Sequence, residues 1–257
     1  MTNPGFTLRE LISVIVLIVF LIALSVPLGD ASARTSRLMQ NSTQLRGVHQ
    51  GLVTYANSNK NWYPGLDSKG QAIHLRTEFD PVSDPFKKSE NYEEVTVEGR
   101  YWVLLDGDYF TPEYAISPFE TASNIIEYPG TGPVVEQNYS FAMLQLPPNG
   151  TRLQEWKQTL NSKSVVMSDR NTGTATNTFG YHNDRWESSS AFGCSYNHRQ
   201  PYLKIGHWVG NVLWNDNHVA FEPTDTLPTE YDGVANPADN LFRASGMDDA
   251  LLIHAGN

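Results

Sequence analysis

Of the seven histidines in the chain, four fall in one stretch, at His182, His198, His207 and His218. Imidazoles are the commonest zinc ligands, but a zinc site needs three or four ligands converging at about 2.0–2.3 Å, often drawn from close pairs. No pair here has the i, i+4 spacing of a helical metalloprotease motif, and histidines satisfied by hydrogen bonds are the commoner case. A second concentration of chemistry is acidic: Asp225, Glu230, Asp232 and Asp239, with Asn240 beside them and Gly233 available for a turn. Oxygen ligands on a flexible loop suit Ca²⁺. The spacing is not that of an EF-hand, and a solvated acidic loop is the plainer reading. Cys194 is the single cysteine, so no intrachain disulfide can form. It reads as a small buried residue rather than a nucleophile. His-Glu-x-x-His, phosphate-loop and Gly-x-Ser-x-Gly patterns are all absent from the sequence. The residues therefore point away from an enzyme.

The third feature is one carboxylate set against an apolar run. Gly5-Phe6-Thr7-Leu8-Arg9-Glu10 leads into Leu11–Leu24, in which Ser13 is the only polar residue, and Pro27 follows. An acid in the first helical turn is favoured by the macrodipole, which is the simple account of Glu10. The alternative is pairing with an amine, since an unpaired charge beside hydrocarbon is expensive. A secretory signal would place basic residues before a shorter apolar core and end in small residues; here no Lys or Arg precedes Arg9.

This stretch resembles the N-terminus of type IV prepilins and type II secretion pseudopilins. The resemblance implies cleavage by prepilin peptidase after Gly5 and methylation of Phe6, the new N-terminal residue. It also implies a role for Glu10 in pairing with the amine of a neighbouring subunit, and a helix kink at Pro27. Two features depart from the family pattern: Arg9 stands where an apolar residue is usual, and Met1-Thr2-Asn3-Pro4 carries no basic residue. Arg34, Arg37 and Arg46 follow the apolar run, which by charge alone favours the opposite orientation in a membrane. Farther on, His207 and Asp216 resemble the C-terminal signature of a large prepilin-like family, His-x9-Asp-Gly. Here the gap is eight residues and Asn217 replaces the Gly.

The elements that must position these residues follow from pattern. Residues 1–5 read as a leader and 6–28 as a helix that just suffices to span hydrocarbon, which needs about 20 apolar residues. Residues 29–58 read as its amphipathic continuation: Leu38, Leu45 and Leu52 recur every seven residues with Val48 and Tyr55 between, while Arg34, Arg37, Gln44 and Arg46 take the wetter face. Roughly 50 helical residues make a rod on the order of 75–80 Å. Asn57–Asn61 ends it and Tyr63-Pro64 turns the chain. Residues 59–257 then form an α+β head, with the long helix laid on an antiparallel sheet.

Within the head, 66–94 reads as exposed loop and Val95–Val97 as a short strand. Tyr101–Leu105 reads as strand or helix, Asp106–Asp108 as a turn, Tyr139–Met143 and Ser164–Asp169 as strands, and Leu153–Lys157 as a helical turn. Residues 208–221 read as a hairpin turning at Asn215-Asp216-Asn217. The tail from Glu222 reads as loop, with a short helix over 248–254.

The net charge of −10 argues against a nucleic-acid-binding surface. Six Trp and 12 Tyr are expected in core and subunit interfaces. The prepilin resemblance, with which these readings agree, implies a structural filament subunit without a cofactor. Its partners would be the prepilin peptidase, like or related subunits, and an inner-membrane assembly platform. It would be anchored in the inner membrane with the head outside the cytoplasm, then assembled into a periplasmic or extracellular filament. A membrane-tethered binding or enzymatic domain that uses a prepilin-type export signal is the alternative.

Overall fold

A computed structural model describes residues 7–66, 69–71, 96–120, 125–132, 134–146, 150–170, 208, 210–242, 250 and 252–253, the side chains of 22–34 and 253 excepted. The chain divides into two units, 1–40 and 41–257. It is α+β, with helices and antiparallel sheet.

Helix α1 spans Leu8–Ser58 and runs through Pro27 rather than ending there. In the first unit its apolar side chains from Leu11 to Leu21 are all exposed, with only Ser13 interrupting them. In the second unit the same helix has an inner face. Leu45, Val48, Leu52, Tyr55 and Ala56 are buried at helical spacing, while Arg46, Gln50 and Thr54 face water. Gln44 is not on the wetter face as the pattern predicts. It is buried, and its side-chain amide donates to the Glu113 carbonyl at 3.0 Å, which satisfies the donor that burial would strand. Leu38 is half-buried rather than part of the core.

Two glycines let another segment close on α1. A Cβ at Gly47 would stand 2.3 Å from the Tyr114 ring. At Gly51 it would meet the Phe110 ring at 2.9 Å and the Tyr109 carbonyl oxygen at 3.3 Å. Both sites cost helix propensity, and the close packing they allow offsets it.

Helix α2 spans Val97–Asp106, and it replaces the strand expected at Val95–Val97; Val95 itself lies outside the described residues. Thr96 has extended backbone angles and its hydroxyl accepts from the Gly99 N–H at 3.2 Å, an N-cap. Glu98 stands in the first turn, where the dipole favours it. Thr96 and Val97, which read as strand, thus start a helix, because capping outweighs local propensity. The chain leaves α2 through Gly107 and Asp108, the latter at φ 54°.

The main sheet has β1 (Phe141–Leu144), β2 (Val165–Asp169), β3 (Gly210–Trp214), β4 (Val219–Glu222) and β7 (Leu252–Ile253), in the order β4-β3-β2-β1-β7. Every pairing is antiparallel. Strands β1, β2 and β3 are buried along their whole length, which is why they read as apolar runs rather than alternating ones. Helix α3 (Thr151–Glu155) lies between β1 and β2 in sequence.

The tail differs most from expectation. Strands β5 (Thr226–Tyr231) and β6 (Val234–Asn240) form a separate two-stranded ribbon, turning at Asp232 (φ 49°) and Gly233 (φ 81°). At 252–253 the chain is strand, not helix. Leu227 and Tyr231 reach the core, and the Tyr231 hydroxyl donates to the Val165 carbonyl at 3.1 Å. Leu66, expected in an exposed loop, is also core.

Candidate functional site

At the start of α1, Thr7 and Glu10 make a reciprocal capping box. The Thr7 backbone N–H and hydroxyl each donate to Glu10 Oε2 at 2.8 Å, and the Glu10 N–H points at Thr7 Oγ1 at 3.4 Å. The Thr-x-x-Glu spacing is the sequence signature of this arrangement. Both residues are exposed, so Glu10 is held by its own chain while remaining open to a partner. Beyond the box, Leu11, Ile12, Val14, Ile15, Val16, Leu17, Ile18, Val19, Phe20 and Leu21 are 43–61% exposed. Successive helical residues point about 100° apart, so this apolar surface covers every side of the helix. Among the described residues no helix is long and apolar enough to cross a membrane, and the side chains of 22–34 lie outside them. Gly5 and Phe6, the expected processing residues, are also outside the described residues, as is the side chain of Pro27.

In the second unit the expected β3–β4 hairpin is present and its turn holds Asn215, Asp216 and Asn217, the last at φ 68°. Asp216 accepts from the His218 N–H at 3.1 Å and contacts the His218 ring. Burial pushes the Asp216 carboxyl up, but the His218 backbone and ring bonds and the His218 charge bring it below its ordinary value. The His218 ring lies flat on Trp214, with centroids 5.5 Å apart and planes 8° apart. His207, the other residue of the C-terminal signature, is outside the described residues, as are His182, His198 and Cys194.

Behind the turn stands a polar cluster that periodicity does not reveal. His49, on the inner face of α1, has Nδ1 at 3.1 Å from Asn217 Oδ1. Its Nε2 is 3.2 Å from the Tyr63 hydroxyl and 3.5 Å from Asn215 Oδ1. The Tyr63 hydroxyl donates to Asn215 Oδ1 at 2.7 Å. Asn215 in turn donates from Nδ2 to the Lys157 carbonyl at 2.8 Å and to Thr159 Oγ1 at 2.9 Å. Tyr63 is positioned because residues 61–63 run antiparallel to 156–158, and because the Trp156 indole N–H donates to the Pro64 carbonyl at 2.9 Å. The expected Tyr63-Pro64 turn is therefore a clamp on this cluster. Burial pushes the His49 ring below its ordinary pKa, against smaller upward effects of the Asn215 and Asn217 bonds and of the Asp216 charge. His49 had one sequence signal, its place between Leu45 and Leu52 on the buried stripe.

A second buried network ties α1 to the sheet. Asn41 donates to Asp169 Oδ1 at 2.8 Å, Asn211 donates its N–H to Asp169 Oδ2 at 2.7 Å, and Ser117 donates to Asn41 Oδ1 at 2.7 Å.

Of the four candidate calcium carboxylates, Asp225 and Asp239 do not sit on a solvated loop: both are buried. Asp225 accepts from Asn240 at 3.2 Å and from the Thr226 hydroxyl at 3.3 Å. Asp239 accepts from the Ala250 N–H at 2.7 Å and from the Thr229 hydroxyl. Glu230 pairs with Lys163 at 3.0 Å, and Asp232 is exposed in the ribbon turn with its N–H donated to Glu155. These bonds pin the ribbon, and among the described residues no three His, Cys, Asp or Glu side chains group closely enough to hold a metal.

The arrangement thus offers an apolar helix opened by an accessible carboxylate, and a head in which the His49–Asn215 and Asn41–Asp169 clusters bond helix to sheet. No family model, no curated protein and no solved structure matches the chain.

Proposed function

We propose that the chain is a structural subunit of a type IV pilus-like or type II secretion pseudopilus-like filament. Prepilin peptidase would process it between Gly5 and Phe6, and it would be assembled through its N-terminal helix on an inner-membrane platform. The observation that carries the proposal is the apolar surface of Leu8–Leu21, exposed on all sides of a helix whose first turn holds Glu10. Water does not tolerate such a surface; lipid does, and so does a bundle of like helices. By sequence the apolar segment extends to Leu28, and residues 6–28 as helix would reach about 34 Å, enough for a hydrocarbon core of about 30 Å.

Glu10 suits the assembly role because it is both pre-ordered and accessible. In the isolated subunit the Thr7 box satisfies it; in a bundle, the amine of a neighbouring Phe6 would neutralise it where an unpaired charge is costly. The head is then pilin-like, a helix face of Leu45, Val48 and Leu52 closed onto antiparallel strands.

The test is incorporation. Glu10→Ala is expected to leave the head folded and the chain in the membrane while removing it from filaments. Glu10→Gln, which keeps the size but not the charge, is expected to fail likewise. Normal filaments from either variant would refute the role of Glu10. A wild-type chain that is processed yet absent from all fibres would instead favour the tethered-domain reading.

A further inference from the structure

We propose that His49, Tyr63 and the Asn215–Asn217 turn form a proton-operated latch between α1 and the β3–β4 hairpin, in which His49 Nδ1 takes up the proton and the Asn217 amide turns over to follow it. The inference does not rest on filament assembly, since every residue in it belongs to the second unit.

The argument begins at Asn215, whose orientation is fixed. Its Nδ2 faces the Lys157 carbonyl and Thr159 Oγ1, so its Oδ1 must point at Tyr63 and His49. The single Tyr63 hydroxyl proton goes to Asn215 Oδ1 at 2.7 Å, which leaves only lone pairs on Tyr63 facing His49 Nε2 at 3.2 Å. Both oxygens near Nε2 are then acceptors, so Nε2 must carry a proton. Neutral His49 is therefore the Nε2–H tautomer, and its Nδ1 is bare.

Across from Nδ1, at 3.1 Å, stands the side-chain oxygen of Asn217. A bare ring nitrogen and an amide oxygen cannot bond to one another. The arrangement fits an imidazolium, which donates from both nitrogens at once. A half-turn of the Asn217 amide brings its NH₂ to Nδ1 and fits the neutral ring equally well; the two orientations have the same shape and differ only in which atom donates. Asn217 can rotate in place because its backbone is held independently, its N–H donating to the Trp214 carbonyl at 2.9 Å.

Among the described residues, the charged and titratable groups around His49 are few. Asp216, on the turn, favours the proton, and its own carboxylate is engaged by His218 at the start of β4. Tyr63 comes from the loop after α1. Glu155 and Lys157 lie at the end of α3, where the Glu155 carboxylate accepts from Thr159 and the Lys157 amine sits over the Trp62 ring at 5.0 Å. Arg46, on α1 itself, is exposed on the outer face. Burial opposes protonation and sets the latch to the neutral state at neutral pH.

The experiment uses the full chain in detergent with ¹³C/¹⁵N-labelled histidine, the His49 signals being identified by their loss in His49→Gln. Ring ¹⁵N shifts at pH 7.5 are expected to show a protonated Nε2 and a bare Nδ1; a protonated Nδ1 would overturn the proposal. Asn217→Asp places a fixed acceptor at Nδ1, on a residue type that tolerates φ near 68°. It is expected to raise the proton affinity of His49 by about tenfold or more. Asn217→Gly keeps the turn and removes the follower, and is expected to lower that affinity. Unchanged titration in Asn217→Asp would also overturn the latch. Should that variant not fold, the tautomer of the wild-type ring decides alone.

Discussion

Truncating Asn215 removes the piece on which helix, loop and hairpin meet. Its side chain is fully buried and bonded on both ends: it accepts from Tyr63 at 2.7 Å and donates to Lys157 O at 2.8 Å and Thr159 Oγ1 at 2.9 Å. In Asn215→Ala the Thr159 hydroxyl keeps Glu155 as partner and the Tyr63 oxygen keeps His49 Nε2, but the Tyr63 hydroxyl proton is left without its acceptor and the Lys157 carbonyl without this donor. Each stranded buried group costs about 1–3 kcal/mol, so the sum is about 2–5 kcal/mol after some relaxation. Against a total stability on the order of 5–15 kcal/mol, that is a large share. For a domain of this size it lowers Tm by roughly 5–20 °C. The assay is thermal unfolding of the full chain in detergent, followed by near-UV circular dichroism, with exposed Gln50→Ala as the control. Asn215→Asp keeps the acceptor toward Tyr63 but turns an oxygen on the Lys157 carbonyl, and is expected to rescue little. A loss within about 0.5 kcal/mol of the control, the range of neutral surface changes, would refute the claim that this amide is the junction.

Three further outcomes follow from the same geometry. Because burial depresses the His49 pKa below its unfolded value of about 6.5, the unfolded state binds the extra proton first. Stability is then full above about pH 6.5 and falls as pH drops toward the folded value; His49→Gln should flatten that slope, and parallel Tm-versus-pH curves would contradict it. Gly51→Ala forces a Cβ to within 2.9 Å of the Phe110 ring, and should cost about 1–3 kcal/mol in denaturant unfolding despite the better helix propensity of Ala. Thr7→Ala opens the capping box and should weaken the start of α1 by about 1 kcal/mol, read as faster amide exchange at residues 8–11, while the melting of the head stays unchanged.

The sequence announces an element clearly where one physical effect dominates it. The buried strands at Val165–Asp169 and Gly210–Trp214 are apolar runs bounded by turn residues, and Asn215–Asn217 is turn chemistry between two such runs. The inner stripe of α1 was legible from Leu45, Val48 and Leu52 for the same reason. Where effects compete, pattern misled. Thr96 reads as a β-branched strand residue until its hydroxyl is seen capping Gly99. The acidic tail reads as solvated because Asp225 and Asp239 are charged; they are buried as acceptors for Asn240 and the Ala250 N–H, bonds that no local spacing encodes. His49 and Tyr63 are 14 residues apart, and they meet Asn215 more than 150 positions later in the chain, so their cluster exists only once the fold has formed. Thr7–Glu10 lies at the other extreme, since its i, i+3 spacing carries the capping box openly.

The most direct test of the central claim is the N-terminus of the protein as it stands in its native membrane. Intact mass and N-terminal sequencing of chain extracted from the inner membrane should find it beginning at Phe6, with one added methyl group and residues 1–5 gone. A mature chain that still carries Met1–Gly5, in cells whose prepilin peptidase is active on its other substrates, would contradict the account.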